Sequence, residues 1–246
     1  MRLENEVFVL TGAAGGMGRE TVNRFLEEGA YVAALDLNVD SLEKTDRLLP
    51  ISVDLTKEEN VAKAFTEINA AFGRINGLVN IAGIAQPATP IEEVTLKDWE
   101  KIFSVNTTAP FLTCREVTPY LKKQGEGVII NISSISMVRP RPGLNAYVAS
   151  KGAVVSFSQA LAIELAEYGI RVNVVNPGPA ETNMLGQFSA KDADIEETKD
   201  TVFKKSVPLG KLIQPIDIAN ALVYLCSKEA AIVTGSVLNV DGGRGI

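Results

Sequence analysis

Short runs of apolar and β-branched residues recur along the chain at 6–11 (EVFVLT), 31–36 (YVAALD), 51–54 (ISVD), 77–82 (GLVNIA), 127–133 (GVIINIS), 170–175 (IRVNVV) and 236–240 (SVLNV). Near-continuous apolar strands of this kind are buried on both faces of a sheet. The intervening pattern predicts helices over 16–28, 57–72, 96–123, 147–167 and 215–227, with Gly29, Gly73 and Gly169 placed as C-terminal stops. Strands alternating with helices imply an α/β fold, a parallel sheet with helices on both faces.

Two stretches depart from this rhythm. Residues 179–207 are rich in charge, poor in apolar periodicity and flanked by prolines, where an α/β unit is expected; the stretch reads as a surface excursion or a lid within the domain. The helix from Tyr147 has no charged residue between Lys151 and Glu164, although a helix between sheet and water should show a polar stripe. Its outer face calls for an apolar cover, and a subunit partner is preferred over burial within a monomer, which implies a homo-oligomer, a tetramer or a dimer.

At 246 residues the chain fits one domain spanning 1–246. Its 24 basic and 30 acidic side chains give a net charge of −6, which opposes non-specific binding to nucleic acid or to an anionic membrane. It contains no histidine, which excludes a Ser-His-Asp triad, a His-paired cysteine and the usual zinc site. Cys114 and Cys226 form no CxxC pair and read as small core residues, suited to a reducing compartment. Glu4 and Glu6 interrupt any signal-peptide core, and no apolar run approaches the roughly 18 residues of a membrane span. A cytoplasmic protein is expected.

The first strand runs into TGAAGGMG, which places Gly12, Gly16 and Gly18 between strand and helix. Glycines there permit a tight turn and close approach of a pyrophosphate to a helix N-terminus, although a merely tight loop has the same composition. Asp36 ends the second strand, 18 residues beyond Gly18, where a carboxylate can accept hydrogen bonds from an adenosine ribose. It would repel the additional phosphate of NADP, and neither Ala13 nor Leu37 supplies a cation to attract one, so NAD is the expected cofactor.

Tyr147 and Lys151 stand four apart on one helical face. A phenol titrates near 10, and bringing it toward 7 requires about 3 to 4 kcal/mol of preference for phenolate. An ammonium at about 5 Å in an effective dielectric near 20 supplies about 3 kcal/mol. The spacing therefore predicts a phenol acidified by its lysine.

Taken together, TGAAGGMG, Asp36, VDL at 53–55, NIAG at 80–83, Asn106 in SVNTTAP, ISS at 132–134, YVASK at 147–151, NPGPAET at 176–182 and TGSVLNVDGG at 234–243 resemble the short-chain dehydrogenase/reductase family across the whole chain. The resemblance implies a Rossmann-type, doubly wound, seven-stranded sheet and hydride transfer between a nicotinamide cofactor and an alcohol or carbonyl carbon. Carried onto this sequence, Tyr147 would be the acid/base and Ser134 would hold the same substrate oxygen. Ser133, offset by one, should point elsewhere by strand alternation. Lys151 would lower the phenol pKa and grip the nicotinamide ribose. Asn106 would position a water that relays protons from Lys151, or else serve as a helix-interior polar residue or cap.

For the cofactor, the resemblance places Gly12, Gly15, Gly16, Met17 and Gly18 around the diphosphate and its ribose. Asp36 and Leu37 would flank the adenosine ribose, and Asp54 and Leu55 the adenine. Asn80, Ala82 and Gly83 would line the groove after the fourth strand, and Pro177, Gly178, Ala180 and Thr182 would hold the carboxamide side of nicotinamide.

Three positions depart from the family pattern. Ile81 replaces an amide in NIAG, Ala180 replaces a larger aliphatic residue, and Met137 replaces a glycine and should narrow one wall of the substrate pocket. Near that wall, VRPRPG carries Arg139 and Arg141. A guanidinium facing the pocket would select an acidic substrate, whereas solvated surface charge is the alternative. Met184, Leu185 and Phe188 are candidate apolar covers within the lid. The expected activity is NAD-dependent oxidoreduction of a small-molecule secondary alcohol or ketone, with no metal, nucleic acid or membrane partner. A 3-oxoacyl thioester reductase and a non-catalytic NAD-binding regulator are the competing readings.

Overall fold

The computed structural model describes residues 1–188 and 199–246. Seven parallel strands form one sheet: β1 (Val7–Thr11), β2 (Tyr31–Asp36), β3 (Leu48–Ser52), β4 (Gly77–Asn80), β5 (Gly127–Ile132), β6 (Ile170–Pro177) and β7 (Val237–Val240). Their order is β3-β2-β1-β4-β5-β6-β7, the doubly wound arrangement. The order reverses between β1 and β4, which pair Thr11 with Asn80 at their carboxyl ends. A crevice opens there because the connections leaving these two strands turn to opposite faces of the sheet.

The two faces follow from side-chain alternation. Phe8 and Leu10 of β1 enter a core shared with Val22 and Phe25 of α1 (Gly16–Glu27) and with Ile218 and Leu222 of α6 (Pro215–Cys226). Phe8 and Phe25 meet edge to face with centroids 5.1 Å apart. Val9 points the other way, into a core with Phe65 of α2 (Glu58–Phe72), Val117 of α4 (Ala109–Gln124) and Leu165 of α5 (Asn145–Leu165). All five residues of β1 are buried, which is why the strand shows no polar face.

Two elements differ from the sequence pattern. The third strand is Leu48–Ser52 rather than 51–54. Pro50 made its first half look broken, but β3 lies at the sheet edge, where a missing N–H is tolerated. The expected helix over 96–123 is two helices, α3 (Leu96–Phe103) and α4, joined by a widened π turn at Ser104–Thr108. Thr95 caps α3 by accepting a hydrogen bond from the Asp98 amide at 3.1 Å.

On α5, Ile163 is 82% exposed, and the exposed Phe111 of neighbouring α4 meets Phe157 with centroids 6.3 Å apart. The uncharged face seen in the sequence is thus an open apolar surface on this chain. Among the described residues no helix is long and apolar enough to cross a membrane.

Candidate active site

The turn from β1 into α1 folds tightly against the turn after β4. Gly12 adopts φ +67, and a Cβ there would lie 2.7 Å from the backbone of Ala82. A Cβ on Gly18 would strike the Gly12 carbonyl oxygen. Side chains are therefore excluded where the chain must double back, and the first turn of α1 presents its unpaired N–H groups to an open cleft.

Asp36 borders this cleft at the end of β2. Its Oδ2 accepts from the Ala14 amide at 3.0 Å and its Oδ1 from the Leu37 amide at 2.7 Å, so the carboxylate is fixed in orientation. Leu37, Asp54 and Leu55 continue the same wall. Asp54 accepts from the Thr56 hydroxyl at 2.7 Å and amide at 2.9 Å, and these bonds hold its carboxyl below the usual range. Gly15, Gly16, Met17, Ala82 and Gly83 also line the cleft.

Asn80 does not. Its side chain is buried among strands and helix, donating to Asn131 Oδ1 at 2.9 Å and accepting from Thr113 at 2.8 Å. Even-odd alternation at the end of β4 turns it into the core, where it ties β4 to β5 and α4. The expectation that Asn80 lines the groove is thereby corrected; Ile81 and Ile84 do so instead.

A second cavity adjoins the cleft and shares Met17, Ile81, Gly83 and Thr182 with it. Tyr147, Ser134 and Lys151 line this cavity. Ser134 leaves β5 in extended conformation, accepts from the Ser136 amide at 3.1 Å and lies near enough to the Tyr147 phenol to pull its pKa down in part. Ser133 donates instead to the Lys151 carbonyl at 2.8 Å, anchoring α5 to the sheet. Strand alternation thus separates the two serines as expected.

Lys151 is buried, and its Nζ donates to the Ile132 carbonyl at 3.0 Å. Burial pulls its pKa down to about 8. Tyr147 does not show the acidification expected from Lys151: burial pushes its phenol up to about 12, opposed by the Ser134 hydrogen bond. The amine, 6.0 Å from the ring centroid, is directed to a carbonyl, and loss of hydration outweighs its attraction.

Asn106 lies in the π turn, fully buried. Its Oδ1 accepts from the Ile84 amide at 2.8 Å, while its Nδ2 donates to the Ile84 carbonyl at 3.0 Å and the Ser150 hydroxyl at 3.2 Å. The widened turn is what aims this amide sideways, between the loop after β4 and α5. A Cβ on Gly83 would lie 3.2 Å from Asn106 Oδ1 and 3.3 Å from Lys151 Nζ, so both groups face that glycine.

Pro177, Gly178 and Ala180 line the cavity of Tyr147, and Thr182 lines both that cavity and the cleft. In the proposed lid, Met184, Leu185 and Phe188 line the substrate side, and Phe188 packs edge-on against Tyr147 with centroids 4.9 Å apart. Residues 189–198 of the lid expectation lie outside the described residues. Met137 is not in the wall; Ile135 and Ser136 are. Arg139 is exposed, and its Nη1 donates to the Arg244 carbonyl at 3.1 Å, whereas Arg141 faces the cavity.

Four contributors escaped the sequence reading. Thr11 accepts from the Ile81 and Ala82 amides at 3.1 and 3.2 Å and shapes the turn after β4. Gln86 accepts from the Tyr147 amide at 2.9 Å, capping the first turn of α5 from 61 positions away. Phe203 and Arg244 complete the cavity. Thr11 opens the TGAAGGMG motif and a glycine pair precedes Arg244, but nothing local marks Gln86 or Phe203.

A family model described as enoyl-(acyl carrier protein) reductase matches residues 12–244. A 3-oxoacyl-[acyl-carrier-protein] reductase of Thermotoga maritima is 37% identical, over 99% of this chain and 99% of the relative. The chain belongs to the short-chain dehydrogenase/reductase family. Within this family, the 2,3-dihydro-2,3-dihydroxybenzoate dehydrogenase of Bacillus subtilis is 35% identical over 98% of this chain and 96% of its own. The crystal structure of a 3-ketoacyl-(acyl-carrier-protein) reductase from Brucella melitensis complexed with NADH is similar with a TM-score of 0.92 and 38% identity, covering 99% of this chain and 100% of that one. The family's oxidoreductase sheet and the seven-stranded order found here agree.

Proposed function

We propose that the protein is an NAD-dependent oxidoreductase that interconverts a small-molecule secondary alcohol and ketone. The observation that carries this reading is the convergence of Ser134, Tyr147 and Lys151 in a cavity that opens into the cleft bordered by Asp36. The cleft fits a dinucleotide: backbone replaces side chains at Gly12 and Gly18, a helix N-terminus faces the space a diphosphate would take, and the fixed Asp36 carboxylate suits a ribose diol and opposes a phosphate there. A nicotinamide held there would supply hydride-level redox chemistry at the carbinol carbon, with alcohol and NAD+ balanced against carbonyl, NADH and a proton.

The chain's own groups handle the oxygen. The Ser134 and Tyr147 hydroxyls, which line the same cavity, offer two contacts to one substrate oxygen. Tyr147 gives its proton to that oxygen in reduction and receives it in oxidation. The Lys151 ammonium stabilises the phenolate as it forms, and Asn106 Oδ1 keeps one lone pair for a water linking Lys151 to solvent. Met184, Leu185 and Phe188 exclude water from the reacting carbon.

The Thermotoga relative's name favours a second reading, a 3-oxoacyl thioester reductase. Asp36 weighs against the NADPH preference expected of it. A non-catalytic regulator has no specific observation in its favour. The open apolar surface at Phe111 and Ile163 supports a homo-oligomer. Assay of NADH and NADPH oxidation with a panel of ketones and 3-oxoacyl thioesters tests the reading: ketone-dependent NADH oxidation is expected, and an NADPH-only or thioester-only enzyme would replace it.

A further inference from the structure

We infer that the substrate carries an anionic group, a carboxylate or a similar oxyanion, held by Arg141 and Arg244 in the cavity that contains Tyr147. This inference rests on the oxidoreductase reading and assigns the substrate class of the same site.

Both guanidiniums line the cavity, although they lie 103 positions apart in the chain: Arg141 in the loop between β5 and α5, Arg244 in the segment after β7. Arg244 is only 6% exposed. The Arg141 guanidinium lies over the Phe203 ring, 4.6 Å from its centroid, a contact that holds the fork at the cavity. Arg139 adds a third positive charge and pins the backbone of Arg244 through its carbonyl.

Among the described residues no carboxylate lies within ion-pair distance of any of the three. The nearest acidic group that acts on Arg244 is Asp241. Its two oxygens are engaged by the Gly243 amide at 3.0 Å and the Gly245 amide at 2.7 Å. Burial first, and then repulsion from Arg139 and Arg141, lower the pKa of Arg244. In a chain of net charge −6, two desolvated cations with no carboxylate within ion-pair distance among the described residues form a site for an anion in the reaction cavity.

Oxo acids of three to seven carbons, each with its methyl ester, are the probes, joined by phosphate- and sulfonate-bearing ketones to rank the oxyanions. The acids should exceed their esters in kcat/KM by roughly 10 to 100-fold, the range of charge-assisted hydrogen bonding. Arg141→Met and Arg244→Met should collapse that ratio toward one, chiefly through KM, and Arg244→Lys should retain part of it. NADH affinity reports that each variant is folded. In Tyr147→Phe, which binds without turning over, calorimetric titration of the best oxo acid onto the NADH complex should lose at least tenfold in affinity when Arg244→Met is added. Esters favoured over acids, or an acid-to-ester ratio untouched by both arginine substitutions, would overturn the inference and leave the oxidoreductase reading standing. Oxo-acid binding that depends on Arg244 in a wild-type protein that turns over none of the panel would overturn the oxidoreductase reading alone.

Discussion

The two halves of the crevice are built on opposite principles. On the β1–β2 side the wall is mostly backbone: glycines that admit no Cβ, the open N-terminus of α1, and one carboxylate locked by the amides of Ala14 and Leu37. On the β5–β6 side the wall is side chains gathered from afar, with Ser134, Tyr147, Arg141, Phe188, Phe203 and Arg244 meeting around one cavity. The first half suits a ligand that is the same in every turnover. The second can change its substrate by exchanging a few side chains without disturbing the sheet, which is consistent with relatives of 35 to 37% identity bearing different substrate names.

The largest expected effect separates the halves. Tyr147→Phe removes only the proton-transferring oxygen, so turnover should fall on the order of 1000-fold while NADH affinity stays within a few-fold. Stopped-flow turnover and fluorescence titration of NADH measure the two; comparable rates in mutant and parent would contradict the assigned role. The next effect lies on the other side. Asp36→Ala removes hydrogen bonding to a ribose and the repulsion of a phosphate, and should shift the NAD over NADP preference by roughly 10 to 100-fold. The same variant should leave the acid-to-ester ratio of the substrate alone. Parallel kinetics with both cofactors decide it, and an unchanged preference would assign cofactor choice to another feature.

The smallest effect concerns pH. Burial lowers the pKa of Lys151 to about 8, so its cation is complete below that pH and is lost as pH rises through it. In ketone reduction, kcat/KM should be level below about 8 and fall about tenfold per pH unit above it. Lys151→Arg should move that limb upward. A pH–rate profile measures both, and a limb at the same pH in the variant would belong to another group.

The sequence exposed the helices best where capping was local. Gly73 ends α2 at φ +73 and Gly169 ends the turn after α5 at φ +70, because only glycine meets a left-handed stop without strain. It concealed β3, since whether Pro50 is harmless depends on β3 lying at the edge, which no local pattern reveals. It concealed the break between α3 and α4 because the apolar pattern continues through the π turn that aims Asn106. It also placed Asn80 in the groove, whereas the amide is consumed by Asn131 and Thr113. The acidity of Tyr147 was misjudged for a related reason: pair spacing gives the attraction of Lys151 but not the loss of water around both groups.

By itself, then, the sequence determined the alternation of strand and helix, the glycine turn, the Asp36 position and the Tyr147–Lys151 face, because each depends on backbone conformation and on neighbours within a few residues. Only the tertiary structure decided which amides are spent in the core and that Arg141 and Arg244 share the cavity of Tyr147. Those facts depend on segments up to 103 positions apart in the chain, from Arg141 to Arg244, and on burial, a property of the packed whole.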